Sequence, residues 1–332
     1  MSLPGRALWP ALLALVVLAS GSGGPAAHLS AGHLRAALPH HHAISAAGHL
    51  RAALPHHHAI SAAAPSDLRV VAVGDIACVP GKPAVGTSCR HVATAALARS
   101  LAPDLVLTLG DHQYVVNSFA EYKGSYDLSW GSLLSRTRPA LGNHEYMTPG
   151  AAGYYAYFEG RQPGPPGYYR VDANGWTVYV LNSNCRWISC AAEAAWLDRE
   201  MARHPSRCSI ITMHHPRYSS GEHGSMAVVR PLWQVAYRHR NDIALAGHDH
   251  DYERFRAMDA GGHVRPRRGM VSFVVGTGGK NVDQPGRRKP GSAYRQARAP
   301  GVLFLVLTPG AYTWSFHSIS GAVLDSGSRS CH

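Results

Sequence analysis

Gly110-Asp111-His112-Gln113-Tyr114 follows the apolar run 105–109, which has the composition of a buried β-strand. A carboxylate and a phenol therefore leave this strand together. Ligand sites of open α/β folds gather at the carboxyl ends of parallel strands, where a carboxylate can hold a hard cation and can bridge two of them. A tyrosine binds the same metal only when it is ionised, which favours a strongly Lewis-acidic ion. The stretch predicts a metal site at the mouth of a parallel sheet.

Four further apolar runs, at 68–73, 137–141, 209–213 and 243–246, also end in residues that can bind metals. Each end alone is commonplace, since an aspartate often forms a turn and a lone histidine usually packs in a core. Their recurrence after five strands predicts one shared site of oxygen and imidazole donors, which suits first-row transition metals or zinc. The residues at these ends are Asp75, Asp111, Tyr114, Asn143, His144, His214, His248 and His250.

The order of strands and helices predicts an α/β domain with β-rich additions. A hairpin is predicted at Asn174-Gly175, a pair that favours a tight turn between strands. The tail from Met270 onward is predicted to form antiparallel strands divided by Gly- and Pro-rich turns. The predicted helices are 90–101, 191–204 and 226–240, and the predicted tail strands are 271–275, 302–308 and 311–317.

The first residues predict export from the cell. Arg6 precedes an apolar run at 7–19 and small residues at 20–24, which is the layout of a secretory signal peptide. The run is shorter than the roughly 20 apolar residues of a membrane span. Residues 1–24 are therefore predicted to be a signal peptide of a secreted, extracellular protein without a membrane span. A short membrane anchor is the alternative interpretation.

Residues 25–65 contain a tandem repeat, AGHLRAALPHHHAISA, which holds eight of the 22 histidines. Two units are fewer than the roughly three that a solenoid needs. We predict a disordered linker, with capture of divalent metal by the histidines as the alternative. The folded catalytic domain is predicted at 66–332, with no internal linker that indicates a second domain.

The six cysteines fit an exported protein, because even counts in secreted chains usually form disulfides. Fifteen pairings exist in principle. Local spacing suggests Cys78 with Cys89 and Cys185 with Cys190, which leaves Cys208 for Cys331.

The net charge of +12 attracts anions in general. Much of the excess lies in Gly- and Pro-rich sequence at 265–298, which has no aromatic interleaving. No nucleic-acid-binding module is recognisable, so a small anionic substrate is favoured over nucleic acid as the partner. The pattern indicates no oligomeric state.

Five blocks, in order, resemble the motifs of calcineurin-like metallophosphoesterases in the version found in purple acid phosphatases. The resemblance covers 68–255, with a looser match beyond, and implies a four-layer sandwich of two mixed β-sheets flanked by helices. Many members begin with Asp-x-His, whereas this chain has Asp75-Ile76-Ala77. Tyr114 would supply the missing ligand, as in the purple acid phosphatase version. The blocks are Gly74-Asp75, Gly110-Asp111-His112-Gln113-Tyr114, Gly142-Asn143-His144-Glu145, Ile211-Thr212-Met213-His214 and Gly247-His248-Asp249-His250.

The resemblance also implies the role of each residue. Asp111 would bridge two metal ions, iron(III) on the side of Tyr114 and iron, zinc or manganese on the other. His144 would bind the phosphate or protonate the leaving group, and the loop residue His223 would be a further catalytic histidine on the substrate side. His112 and His215 are interpreted as residues behind the ligands or on the surface. The first ion would be held by Asp75, Asp111, Tyr114 and His250, and the second by Asp111, Asn143, His214 and His248.

The activity that the resemblance implies is hydrolysis of phosphate monoesters by attack of a metal-bound hydroxide. A phosphodiesterase or nucleotidase on the same site is one alternative, and a catalytically silent metal-binding protein is another. A serine hydrolase that uses Ser219 or Ser225 is disfavoured, because neither residue lies in a Gly-x-Ser-x-Gly elbow.

Overall fold

The computed structural model describes residues 67–332. Two predicted segments, the signal peptide at 1–24 and the histidine-rich linker at 25–65, lie outside the described residues. Within the described part, no helix combines the length and the hydropathy that a membrane span requires.

The described residues form strands and helices in alternation, followed by a β-rich tail. The strands are β1 (Leu68–Val73), β2 (Leu105–Thr108), β3 (Thr137–Pro139), β4 (Tyr169–Ala173), β5 (Trp176–Val180), β6 (Cys208–Thr212), β7 (Ile243–Ala246), β8 (Tyr252–Met258), β9 (Met270–Val275), β10 (Ser292–Gln296), β11 (Gly301–Thr308), β12 (Ala311–Ser318) and β13 (Val323–Ser330). The α-helices are α1 (His91–Ser100), α2 (Phe119–Glu121), α3 (Asp127–Trp130), α4 (Ala152–Tyr157), α5 (Cys190–Arg203) and α6 (Arg230–Arg238). A π-helix at Tyr122–Tyr126 and 3-10 turns at Gly131–Arg136, His144–Met147, Pro149–Ala151 and Ala227–Val229 complete the helical segments.

Two mixed sheets form the centre of the fold. Their orders are β13-β12-β11-β1-β2-β3 and β10-β8-β9-β7-β6-β5-β4. In the first sheet β1, β2 and β3 are parallel, and in the second β5, β6, β7 and β9 are parallel. Helices flank both sheets, so the predicted class, an α/β fold with two mixed β-sheets, is confirmed.

Burial explains the sequence pattern of the central strands. β2, β6 and β7 are buried along their whole length, so each reads as a continuous apolar run rather than an alternating one. The hairpin between β4 and β5 turns at Asn174 and Gly175, whose φ angles of 51° and 82° suit the left-handed residues of a tight turn. Helix α5 begins after Ser189, whose hydroxyl accepts a hydrogen bond from the Ala192 amide at 3.2 Å.

The prediction for the tail was wrong for the pairing of β9, and it missed β10 and β13. β9 pairs parallel with β7 and antiparallel with β8, whereas β11 and β12 are antiparallel as predicted. Strand β8 was not predicted, because Glu253 and Arg254 interrupt its apolar pattern. Their charges find partners far away in the sequence, the Ser220 amide at 2.6 Å and Asp325 at 2.7 Å.

The predicted helix at 226–240 is shorter in the structure. A 3-10 turn at Ala227–Val229 precedes α6, which starts at Arg230. Pro231 lies in the first turn of α6, where its missing amide proton costs no helical hydrogen bond.

Aromatic residues of the region 119–158 pack against one another and against the loop that follows β2. Tyr122, Tyr126, Tyr154 and Phe158 are buried and surround His112, with ring centroids 4.7–6.4 Å from its ring. Burial of this kind fixes the loop after β2 from behind.

Disulfides connect the two pairs that local spacing suggested and the remaining pair, Cys208 with Cys331. One of them closes 123 residues, between the start of β6 and the C-terminal segment. Each bond contributes about 2–4 kcal/mol in typical small proteins. The described part of the chain has no free cysteine. The pairs are Cys78–Cys89, Cys185–Cys190 and Cys208–Cys331.

Candidate metal centre

The loops after five parallel strands meet where the two sheets adjoin. Those after β1, β2 and β3 come from the six-stranded sheet, and those after β6 and β7 come from the seven-stranded sheet. The Gly74 amide donates to the Val275 carbonyl at 2.8 Å, and His214 Nδ1 lies 2.8 Å from the Leu109 carbonyl oxygen. These hydrogen bonds join the two sheets at the edge where the candidate ligands lie.

One group of donors meets at the hydroxyl of Tyr114. Its oxygen lies 3.0 Å from Asp75 Oδ1, 3.1 Å from Asp111 Oδ2 and 3.1 Å from His250 Nε2. His250 Nε2 is also 3.4 Å from Asp75 Oδ1. Four predicted ligands therefore share one small volume.

A second group meets at Nε2 of His214. This nitrogen lies 3.0 Å from Asn143 Oδ1, 3.1 Å from His248 Nδ1 and 3.5 Å from Asp111 Oδ2. The same Asp111 oxygen contacts the Tyr114 hydroxyl, so it belongs to both groups. The structure thus brings all seven predicted ligands together. Asp111 lies between the group around Tyr114, called the first half of the centre, and the group around His214, called the second half.

The outer ring nitrogens of two histidines are held in place. His214 Nδ1 faces the Leu109 carbonyl, and His250 Nδ1 lies 2.8 Å from Asn281 Oδ1 and 3.2 Å from Asp283 Oδ2. Because those oxygens only accept hydrogen bonds, Nδ1 carries the proton and Nε2 faces the centre, the arrangement typical of metal-binding histidines. Asn281 and Asp283 were not predicted, since their loop has no motif and lies about thirty residues after His250.

The two buried carboxylates respond differently to their surroundings. Burial by itself would raise the pKa of Asp75, but hydrogen bonding to His250 and the charge of His214 lower it overall. Burial raises the pKa of Asp111, and the nearby charge of Glu145 adds to the effect while His214 opposes it. A cation beside Asp111 would favour its ionised form.

The pKa values of Tyr114 and His250, in the first half, also depend on the charges around them. Burial and the charges of Asp111 and Asp75 raise the pKa of Tyr114 well above its ordinary value. Burial alone would lower the pKa of His250, but its hydrogen bonds to the Asp283 and Asp75 carboxylates raise it to about 10. A phenolate therefore forms at this position only beside a strongly Lewis-acidic ion, which agrees with the expectation for Tyr114.

The donor set fits a pair of metal ions. In the neutral tautomer described above, His214 Nε2 is an acceptor, and it faces two further acceptors, Asn143 Oδ1 and Asp111 Oδ2. Lone pairs that face one another in a buried space repel unless a proton or a cation lies among them. Carboxylate, phenol, amide and imidazole donors without thiolate suit iron, zinc or manganese.

Three candidate ligands have backbones in the left-handed region, with φ of 61° at Asp75, 48° at Asp111 and 73° at His248. Such conformations cost on the order of 1–3 kcal/mol each for residues other than glycine and cluster at functional sites. Gly142 allows the close approach of the loops, because a Cβ there would lie 2.1 Å from Asp111 Oδ1. These features were not visible in the sequence pattern.

Glu145 anchors the loops after β2 and β3 from behind. Its carboxylate accepts the amide protons of Asp111 at 3.0 Å, His112 at 2.9 Å and Gly142 at 2.5 Å. Burial would raise the pKa of Glu145, but the charge and hydrogen bonds of His112 lower it to about 2. The residue was part of a quoted block, yet no role was predicted for it, since its partners become neighbours only in the folded chain.

Of the two positions considered for His112 and His215, behind the ligands or on the surface, the structure agrees with the first, since both residues are buried. His112 is fully buried and contacts Glu145 and Thr108 Oγ1, the latter at 2.7 Å. His215 Nδ1 lies 2.8 Å from Ser183 Oγ, and burial lowers the pKa of His215 to about 3. Both histidines lie behind the candidate ligands.

The two predicted catalytic histidines lie at the rim of the centre. His144 Nδ1 is 3.0 Å from the Val115 carbonyl oxygen, and its Nε2 is 3.9 Å from Asp111 Oδ2. The ring of His223 lies 4.4 Å from that of His248, with 46% of its side chain exposed. The buried Asp249 accepts the His223 amide proton at 2.7 Å, which holds this loop against the centre.

Residues 68–252 match the family model described as calcineurin-like phosphoesterase. Two curated relatives are purple acid phosphatase 23 of Arabidopsis thaliana, 27% identical over 38% of this chain, and tartrate-resistant acid phosphatase type 5 of Sus scrofa, 24% identical over 56% of it. The chain spans 29% of the first relative and 65% of the second, less than two thirds of either.

The fold is similar to that of the purple acid phosphatase PPD1 from seeds of yellow lupin, Lupinus luteus. The TM-score is 0.68 at 18% sequence identity, over 80% of this chain and 54% of the lupin chain. At this identity the likeness concerns the fold.

Proposed function

The chain belongs to the calcineurin-like phosphoesterase family, and we propose that it is a purple acid phosphatase-like enzyme that hydrolyses phosphate monoesters with two metal ions. The observation that carries the proposal is the position of Asp111 Oδ2, 3.1 Å from the Tyr114 hydroxyl and 3.5 Å from His214 Nε2. One carboxylate oxygen between two groups of donors is what a bridged pair of ions requires.

Asp75, Asp111, Tyr114 and His250 would hold iron(III), and Asp111, Asn143, His214 and His248 would hold iron, zinc or manganese. Two bound ions would supply Lewis acidity toward the phosphate oxygens and would lower the pKa of water. The protein's own contribution is the fixed orientation of these donors by buried hydrogen bonds, such as that from the His248 amide to Asp75 Oδ2 at 2.8 Å.

We infer that His144 moves a proton at the leaving oxygen. Its Nδ1 donates to the Val115 carbonyl, so Nε2 is the atom directed to the centre, and 23% of the side chain is exposed. In its doubly protonated form Nε2 would donate a proton to the departing alcohol, a role worth about 10²–10⁴ in rate. His223, with its loop held by Asp249, would donate a hydrogen bond to the phosphate from the opposite side.

Positive charge near the centre supports an anionic substrate. Lys280 Nζ lies 5.0 Å from the centre of the Tyr114 ring. The whole chain carries a formal charge of +12, which raises the local concentration of anions such as phosphate esters.

We also propose that the protein is exported, with a signal peptide at 1–24, a linker at 25–65 and a catalytic domain at 66–332. Three disulfides in the described residues support an oxidising compartment.

The test compares turnover of 4-nitrophenyl phosphate with that of bis(4-nitrophenyl) phosphate by the full chain loaded with iron and zinc. We expect faster turnover of the monoester. In Asp111→Asn we expect activity to fall by at least about 10³-fold, because both halves lose their shared anion. Asp172→Asn, at an aspartate whose side chain is 62% exposed, is the matched control and should behave as the wild type.

Each other outcome overturns a defined part of the proposal. Preference for the diester would replace the monoesterase by a phosphodiesterase on the same site. Absence of turnover on a broad phosphoester panel, in protein shown to hold its metals, would favour the silent metal-binding protein. Full activity of metal-replete Asp111→Asn would remove Asp111 from the centre.

A further inference from the structure

A pocket of about 350 Å³ opens directly beside the candidate metal centre. It is lined on the centre's side by Asn143 and His215, and elsewhere by Tyr146, Arg186, Trp187 and Met226. Asn143 is a candidate ligand, so a phosphate ester bound at the centre would have this space next to it. The volume suffices for a bulky leaving group.

One wall of the pocket is a stacked aromatic pair. The rings of Tyr146 and Trp187 are nearly parallel, with an interplanar angle of 2° and a centroid distance of 5.4 Å. Trp187 leaves 58% of its surface exposed, which is unusual for a residue of this size. A broad indole face is thus available to a planar ligand, and stacking on it would extend the existing pair.

The wall is held in position before any ligand binds. The Tyr146 hydroxyl accepts a hydrogen bond from Asn182 Nδ2 at 2.8 Å, and the Trp187 amide donates to the Asn184 carbonyl at 2.8 Å. The disulfide Cys185–Cys190 closes the loop that carries Trp187. Because little ordering remains to be done on binding, stacking energy would appear almost fully as affinity.

We propose that this pocket receives the alcohol part of the substrate and that Trp187, backed by Tyr146, selects phosphate monoesters with an aromatic leaving group. The proposal rests on the proposed function, since it places the phosphate at the metal centre. The rim residues Met147 and Val228, both about half exposed, add apolar contacts around the ring. The Arg186 guanidinium lies over the Trp187 ring, 5.9 Å from its centre, and would place a positive charge near a polar substituent of the ligand.

The test compares 2-phenylethyl phosphate with ethyl phosphate. Both esters release a primary alcohol of similar reactivity, so their ratio of kcat/KM reports the contact with the ring. We expect the wild type to prefer the aromatic ester by about tenfold. Trp187→Ala should reduce this preference to about twofold, and Trp187→Phe should keep most of it. Leu128→Ala, at a residue that is 78% exposed and outside the pocket, is the control and should leave the ratio unchanged.

A binding measurement separates this inference from the proposed function. The same preference should appear in the dissociation constants of 2-phenylethylphosphonate and ethylphosphonate, which are not hydrolysed, by titration calorimetry. Turnover of both esters with the same ratio in wild type and Trp187→Ala overturns the aromatic pocket and leaves the phosphatase intact. Preferential binding of the aromatic phosphonate without turnover of any ester overturns the phosphatase and supports the pocket.

Discussion

The two halves of the candidate centre share Asp111 but differ in the charge of their other donors. The first half contains the Asp75 carboxylate beside the Tyr114 phenol, whereas the second half contains the neutral amide of Asn143 and the imidazole of His248. Anionic oxygen donors favour a highly charged, hard ion, and neutral nitrogen and oxygen donors suit a divalent one. The asymmetry of the donors alone therefore predicts two different ions.

The halves also differ in how their histidines are oriented. His250 is held by two side chains, Asn281 and Asp283, from a distant loop. His214 is held by the main-chain carbonyl of Leu109, which no substitution removes. Side-chain mutations can therefore change the support of His250, whereas the support of His214 comes from the backbone that joins the two sheets.

Among substitutions that act on one half, the largest effect is expected from His214→Ala, which should empty the second half alone. We expect activity to fall by about 10²–10³-fold, because half of the electrostatic stabilisation is removed. The visible absorption of an iron(III) tyrosinate should remain, since its donors are untouched. Metal analysis and the absorption spectrum check this result. His204→Ala, at an exposed helix end, is the control; simultaneous loss of the visible band would show that the halves do not bind independently.

A reciprocal effect, smaller in rate, is expected from Tyr114→Phe. The substitution removes a hydroxyl with three partners within 3.1 Å but keeps the ring. We expect the visible band to disappear and activity to fall by about 10–100-fold, while the second ion stays bound. Tyr237→Phe on α6 is the matched control. If the visible band persisted in Tyr114→Phe, the chromophore would have to be another residue, and its assignment to the first half would be wrong.

A weaker effect is expected from Asp283→Asn, which changes only the support of His250. The carboxylate is 3.2 Å from His250 Nδ1, and 32% of its side chain is exposed, so folding should persist. We expect metal affinity in the first half to fall by about tenfold, with the second half unchanged. Competition with a chelator, followed for each metal, measures this. Equal losses in both halves would contradict the separate support of the two histidines.

The smallest effect on the centre is expected from Glu193→Gln. This substitution tests how the free energy of unfolding depends on pH. Burial raises the pKa of Glu193 to about 8, although the Asn182 amide donates to it at 2.7 Å. Between the ordinary value of 4.5 and about 8, the folded chain holds a proton that the unfolded chain has lost. Stability should therefore fall as pH rises through this range. Burial also raises the pKa of Asp251 to about 8, so Gln should remove only the part of the fall that belongs to Glu193.

Chemical denaturation of chelator-treated protein at about pH 5 and about pH 8 measures this difference. Glu159→Gln, at an exposed glutamate, is the control and should keep the wild-type profile. A Glu193→Gln profile identical to that of the wild type would show that Glu193 does not hold this extra proton in the folded protein. The changes in stability that metal binding causes in the two halves are then compared with this pH profile.

Much of the centre was predictable because it depends on local pattern. Apolar strands followed by glycine and a ligand, as at Gly74-Asp75 and Gly110-Asp111, are visible within a few residues. At position 77, where many calcineurin-like members have a histidine, this chain has alanine, and the resemblance to purple acid phosphatases implied that Tyr114 takes its place. The fold class followed from the same alternation of strands and helices, because buried parallel strands are continuously apolar.

The sequence by itself determined the five strand ends, the chemical types of the ligands and the local cysteine pairs. Only the tertiary structure decided that Glu145 and Asp283 hold the ligand loops and that Trp187 stands beside the centre. The reason is physical. A strand and its turn are specified by neighbours along the chain, whereas hydrogen bonds, burial and pocket walls arise between residues that folding alone brings together.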